Sequence, residues 1–216
     1  MGYQTVIRNG AEVETPSGAR LRLMEALAET VAGKGYAATT IADVVAVARV
    51  SKRTFYEHFA DKEECLLALY AHACSRLMDV LREAAGAVGR PWRERVRATA
   101  YAYLAAVEAM PAVNRTLLLE MQAAGPRAFA LRRQTQEQFA ALLRELVEQG
   151  RAGEPEVRPL SPALALALVG GINELLLHAV GPYGGGDPEH PITGLTEAVT
   201  DLVSAVLSAT VSPPPR

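Results

Sequence analysis

Apolar residues recur at helical spacing along most of this chain, and glycine or proline interrupts the recurrence wherever it fails. Leu23, Met24, Leu27, Ala28 and Val31 form one such stripe, which runs out at Gly33-Lys34-Gly35. Thr40 and Asp43 then stand at the cap and third position of a short second helix that closes near Ala48-Arg49. Ser51 caps a third short helix, expected to end at about His58. Asp61-Lys62-Glu63-Glu64 repeats the capping logic and opens a long fourth helix with Leu66, Tyr70, Cys74, Leu77 and Leu81 on one stripe. Further helices are expected over 91–109, 111–124, 126–150, 161–181 and 190–209, separated by Pro111, Gly125-Pro126, the 153–162 stretch and the Gly-rich 181–191. No strand and no internal repeat is read. The pattern predicts an all-α chain of about nine helices. Ala and Leu, which dominate its hydrophobic half, are the residues that cost least in a helix.

Residues 1–16 carry no apolar period and read as a flexible arm; 17–67 hold the first three helices, 68–210 the remainder, and 211–216 a proline-rich tail. A net charge of −2 neither points to nucleic acid nor excludes it, because a small basic face coexists readily with an acidic remainder. Cys65 and Cys74 lie nine residues apart, half a turn out of phase on a helix, and so cannot pair with each other. They read as small buried hydrophobes in a reducing compartment. No apolar signal core opens the chain, and the most membrane-like segment, 162–180, is interrupted by Gly170, Gly171, Asn173, Glu174 and His178. A cytoplasmic protein without a membrane partner is expected.

The layout of one longer helix followed by helix, tight turn and helix inside the first sixty residues is that of a helix-turn-helix, whose second short helix enters the major groove. Ile41, Val44, Val45, Ala48 and Val50 supply a compact apolar seam. On the third helix Phe55 and Phe59 point one way, while Lys52, Arg53, Tyr56 and Glu57 follow one another around the other side. An aromatic anchor behind and basic and phenolic groups in front suit a helix that reads phosphates and base edges.

The run Gly35-Tyr36-Ala37-Ala38-Thr39-Thr40-Ile41-Ala42-Asp43-Val44, followed by Ser51-Lys52-Arg53-Thr54-Phe55-Tyr56-Glu57-His58-Phe59-Ala60-Asp61-Lys62-Glu63-Glu64-Cys65-Leu66, resembles the DNA-binding segment of TetR-type transcriptional regulators. The likeness spans roughly residues 19–67 without gaps. Beyond residue 67 only the helical layout is similar. The resemblance implies an N-terminal three-helix DNA-binding domain and a C-terminal helical domain for ligand sensing and dimerisation. It implies Thr40, Tyr56 and Lys62 as phosphate contacts and Lys52, Arg53 and Thr54 as base-reading groups. Ser51 is then a cap beside the DNA, and His58 a packing or capping residue on the same helix. Two departures stand out: Arg49 occupies the turn position where glycine is usual, and Val45 a position where alanine is common. Arg49 implies either a turn that avoids positive φ or backbone strain.

In the second domain, 161–180 is apolar on nearly all sides, so that helix needs neighbours on two faces. Leu168, Ile172 and Leu176, with Leu195, Val199, Leu202 and Val206 of the last helix, are the expected dimer residues, since the resembled family dimerises through its last two long helices. A sensor cavity needs a few polar groups in an apolar wall. Trp92, Tyr101, Tyr103, Met121, Gln122, Phe129, Phe139, Asn173 and His178 are its candidates. Glu174 and His178 share a face, better read as a polar pair at a dimer seam than as a metal site. No metal or cofactor is expected. The partners implied are double-stranded operator DNA, a second copy of the chain and a small, largely apolar effector that releases a repressor from a palindromic operator. The competing readings are a helical interaction module without an operator and an all-helical enzyme. For the latter, no phosphate-binding loop, dinucleotide-binding glycine motif or nucleophile elbow is present.

Overall fold

The structure of the chain, a computed structural model, describes residues 5–8, 11–14, 18–86, 91–122, 124–152, 154, 156–180 and 191–208. The chain divides into two compact units, Met1–His72 and Ala73–Arg216.

In the first unit, α1 (Gly18–Lys34) buries Leu23, Met24, Leu27, Ala28 and Val31. It stops where Gly35 takes a φ of 81° and donates its N–H to the Val31 carbonyl at 2.8 Å, the left-handed closure that glycine provides at a helix end. Helix α2 (Ile41–Ala48) opens on a complete capping box. The Asp43 N–H reaches Thr40 Oγ1 at 3.3 Å, and the Thr40 N–H reaches Asp43 Oδ2 at 2.8 Å. Ser51 Oγ accepts the Thr54 N–H at 3.0 Å to start α3 (Lys52–His58). Asp61 Oδ1 accepts the Glu64 N–H at 2.7 Å as α4 (Lys62–Ala85) begins. Phe55 and Phe59 are fully enclosed, as are Leu66 and Cys65. Burial pushes the Cys65 thiol up to about 12.

Two short strands, β1 (Thr5–Arg8) and β2 (Ala11–Glu14), pair antiparallel with Val6 opposite Val13, in the segment expected to be an unstructured arm. The signal was there to read: Asn9-Gly10 lies between them, the dipeptide that two-residue hairpins favour. The tail 211–216 lies outside the described residues.

The second unit holds the end of α4, then α5 (Trp92–Glu108), α6 (Pro111–Leu119), α7 (Pro126–Gly150), α8 (Pro162–Val180) and α9 (Thr196–Ser208). Proline at the first position of α6, α7 and α8 suits a site whose N–H would be unpaired in any case. The helices expected over 111–124 and 190–209 are each divided: a 3₁₀ turn, Glu120–Gln122, ends the first and another, Ile192–Leu195, begins the second. One core gathers Leu77, Ala100, Leu104, Val107, Leu176 and Val199; the other gathers Ala140, Val157, Leu160, Ala165, Leu168, Val169 and Leu207.

Three of the seven dimer residues expected from the sequence belong to these cores. Leu168, Leu176 and Val199 are buried at 2–3% exposure within the chain's own unit, and Ile172, Leu195, Leu202 and Val206 lie half-buried against the same cores. The face of α8 left uncovered carries Leu164, Leu166, Ala167, Gly170, Glu174 and His178 instead. Helical periodicity identified α8 as apolar all round but could not say which side its own unit would use. Among the described residues α8 alone is long and apolar enough to cross a bilayer; its other side is packed into the two cores.

Candidate nucleic-acid interface and buried cavity

Helix α3 is too short to be stable by itself, so its neighbours position it. Phe55 and Phe59 fill the core with ring centroids 5.7 Å apart, and the Arg20 guanidinium lies 4.4 Å over the Phe59 ring. Arg20 also donates to the His58 carbonyl at 2.9 Å, closing the C-terminal end of α3. This anchoring leaves Lys52, Arg53 and Tyr56 exposed together on the opposite face. Tyr56 stands edge-on to Phe55 at 5.6 Å, so its ring is steadied while its hydroxyl points away from the core. The Arg53 side chain is 89% exposed and its Nε donates to Glu57 Oε1 at 3.1 Å. In water such an i,i+4 pair is weak, on the order of 0.3–0.5 kcal/mol, and yields readily to a phosphate or a guanine edge.

The other expected DNA-facing residues have structural duties. Thr40 and Ser51 are caps, and Thr54, half-buried, shares a hydroxyl contact with Ser51 at 3.0 Å. His58 is half-buried with its ring tilted on Phe59. Lys62 departs most from the expectation of a phosphate contact. Its Nζ donates to the Tyr36 and Thr39 carbonyls, both at 2.7 Å, and sits 4.2 Å over the Tyr36 ring. It thereby ties the start of α4 to the turn between α1 and α2, and desolvation there lowers its pKa. The Asp43 carboxylate is held well below the usual range, first by Lys34, which reaches it at 2.5 Å, and then by Thr40.

Arg49 resolves the alternative left by the sequence. It adopts φ 53°, ψ 47°, the left-handed region, and is exposed at the turn that leads into α3. An L-residue there bears roughly 1–2 kcal/mol, whereas glycine bears none of it but gives up about 0.5–1 kcal/mol of chain entropy. Arg49→Gly is therefore expected to stabilise the protein by up to about 1 kcal/mol, read as a higher urea midpoint at unchanged m-value. A midpoint at or below wild type would show that the arginine is not strained.

Within the second unit a cavity of about 160 Å³ is lined by residues of α4, α5, α7, α8 and α9 and by Val157. Of the sequence candidates it brings together Trp92, Tyr103, Phe139 and Asn173. It does not include the others. Tyr101, Phe129 and His178 are exposed, Met121 is buried elsewhere, and the Gln122 side chain lies outside the described residues. Sequence reasoning missed Arg95 and Thr99. The usable signal was their spacing with Tyr103, i, i+4 and i+8, which makes one stripe on α5. Among the described residues no group of three or more His, Cys, Asp or Glu is placed to hold a metal.

Comparison with known proteins agrees with this architecture. Residues 23–69 match the family model for bacterial regulatory proteins of the tetR family. An uncharacterised HTH-type transcriptional regulator, YxbF of Bacillus subtilis, is 32% identical over 96 residues, 44% of this chain; the chain spans only 25% of that protein's length. In fold the chain is similar to the fatty acid degradation regulator FadR of Bacillus halodurans (TM-score 0.76, 18% identity, 88% of this chain and 96% of that one). It is likewise similar to the transcriptional regulator FadR of Bacillus subtilis, solved in complex with stearoyl-CoA (TM-score 0.72, 17% identity, 86% and 98%). The matched segment contains the α2–turn–α3 unit with its exposed Lys52, Arg53 and Tyr56, so residues 23–69 are similar to the tetR-family DNA-binding segment, and the chain shares the fold of these solved regulators.

Proposed function

We propose that the protein is a sequence-specific DNA-binding regulator that acts as a dimer, with α3 in the major groove and a small apolar effector in the second unit setting its affinity for a palindromic operator. The observation that carries this reading is the exposed Lys52–Arg53–Tyr56 face on a helix whose other side is fixed by two buried phenylalanines. Arg49 adds a cation at the turn just before that face. A second copy laid on the uncovered face of α8 would bring two such heads to one duplex, where half-sites recur every ~34–36 Å. Gly170 suits that contact, since it is exposed and a side chain there would meet nothing of its own chain.

The cavity supports the effector, and FadR of Bacillus subtilis offers a precedent in a protein of this fold with an apolar-tailed ligand. Helix α4 has residues in both units, with Lys62 at the α1–α2 turn and Leu81 and Ala85 in the cavity wall, so it is the natural route of coupling. By linkage, an effector that weakens DNA binding must itself be bound more weakly by the DNA complex, by the same factor. An electrophoretic shift on the DNA upstream of the protein's own gene tests the reading. Wild type should retain this fragment selectively, and the Lys52→Ala/Arg53→Ala double variant should lose that retention by about 10²-fold or more, as expected for two lost contacts of ~1–3 kcal/mol each. Equal retention by both proteins would move the function away from DNA.

A further inference from the structure

We propose that the cavity of the second unit takes a compact, uncharged ring compound bearing a carbonyl or hydroxyl oxygen, held through that oxygen by Tyr103 and Asn173. The inference rests on the reading of the second unit as an effector-binding domain and narrows the chemistry of the effector.

The wall is almost wholly apolar. Trp92, Phe139, Leu143, Val147, Val169 and Val203 supply most of it, and two of these are aromatic. Among the described lining residues, the side chains able to hydrogen-bond are Trp92, Arg95, Thr99, Tyr103 and Asn173. The side chains of Thr99, Tyr103 and Asn173 make no hydrogen bond to another described residue. These three half-buried residues, two of them i,i+4 on α5 and one on α8, place polar side chains on the cavity wall where an occupant can meet them. The Tyr103 ring is fixed edge-on against Phe139, with centroids 6.4 Å apart, so the direction of its hydroxyl is preset. Burial pushes the Tyr103 phenol upward, which keeps it a proton donor at any physiological pH. Asn173 offers both a donor and an acceptor. Together they suit a neutral oxygen, which accepts from both or donates to one.

The charge balance argues against an anionic ligand. Arg95 is the one charged residue in the wall, and its guanidinium already donates to the Gly150 carbonyl at 2.7 Å and faces Glu154 at 3.5 Å. A ligand carboxylate would share that cation with Glu154 and meet no other, which is unfavourable in an apolar enclosure. Size argues for a compact body. The volume of about 160 Å³ is close to that of the ~150 Å³ apolar cavity known to take up benzene, so a compact ring fills it.

The test is calorimetric titration of the full chain, without DNA, with acetophenone, ethylbenzene and benzoate, which share a ring and differ in the group it carries. Acetophenone should bind about tenfold more tightly than either of the others, the effect of one or two well-made neutral hydrogen bonds. Tyr103→Phe, which keeps the ring against Phe139, should bring acetophenone close to ethylbenzene while leaving ethylbenzene unchanged. Asn173→Leu should act in the same direction, and if that variant does not fold, Tyr103→Phe decides alone. Equal affinity for acetophenone and ethylbenzene, tighter binding of benzoate, no binding of any ring probe, or full preference retained in Tyr103→Phe would each overturn the proposal. Adding acetophenone to the DNA complex separates the two readings. Binding with the expected preference but without any change in DNA retention would uphold the site and refute effector control by this class of ligand.

Discussion

Phe55→Ala is expected to abolish DNA retention although residue 55 touches no DNA. The side chain is fully buried, packs on Phe59 and supports Tyr56 edge-on. Truncating such a phenylalanine typically costs about 3–5 kcal/mol in transfer energy and unfilled space. Whole domains are stable by only about 5–15 kcal/mol, so α3, the shortest helix of the first unit, should lose its fixed position even if α1 and α4 persist. Chemical denaturation followed by circular dichroism should show a lower midpoint. The electrophoretic shift should show no retained band at concentrations where wild type is saturated. A variant that keeps both would show that α3 is positioned by something other than its aromatic anchor.

The second large effect separates the two sides of α8. Leu176 is 2% exposed in the core with Leu77, Leu104 and Val199, so Leu176→Glu places a carboxylate where it has no partner, at a cost of several kcal/mol. The second unit should fail to fold, giving aggregated or poorly helical protein. Leu166, 44% exposed on the uncovered face, is different. Leu166→Glu should leave helicity and thermal midpoint near wild type, and convert a dimer to a monomer in sedimentation velocity. It should also weaken operator binding, because two linked heads bind far more tightly than one. A wild-type chain that sediments as a monomer, or a Leu166→Glu variant that remains dimeric, would move the dimer contact off this face. A well-folded Leu176→Glu protein would reject the core assignment.

What could be read from the sequence was what is encoded locally. Thr40 with Asp43, Ser51 with Thr54, and Asp61 with Glu64 are contacts between residues three apart, so spacing alone reveals them. The aromatic side of α3 was legible for the same reason: Phe55 and Phe59 are one turn apart. The carbonyl partners of Lys62 were not legible because they lie 23 and 26 residues away, at a distance no local pattern reports. For the dimer residues the limit is related, since periodicity shows that α8 needs cover on two sides but not which cover belongs to its own chain. The cavity was half legible. Trp92, Tyr103, Phe139 and Asn173 drew attention by type, whereas Arg95 and Thr99 acquire meaning only when α5 is set against α7 and α8. The paired strands over 5–8 and 11–14 were overlooked because each is four residues long, too short for alternation to stand out, although the sequence between them is Asn-Gly.

The left-handed turn at Arg49 has a consequence in genetics. Every arginine codon becomes a glycine codon by changing its first base alone, so the relaxed form of this turn is one nucleotide substitution away from the present gene. That substitution removes backbone strain and, in the same step, a positive charge from the approach to α3. A mutagenised population under selection for thermal resistance therefore has immediate access to a better-folded protein with a less basic head. One under selection for operator occupancy is pushed the other way. The two pressures meet at a single codon.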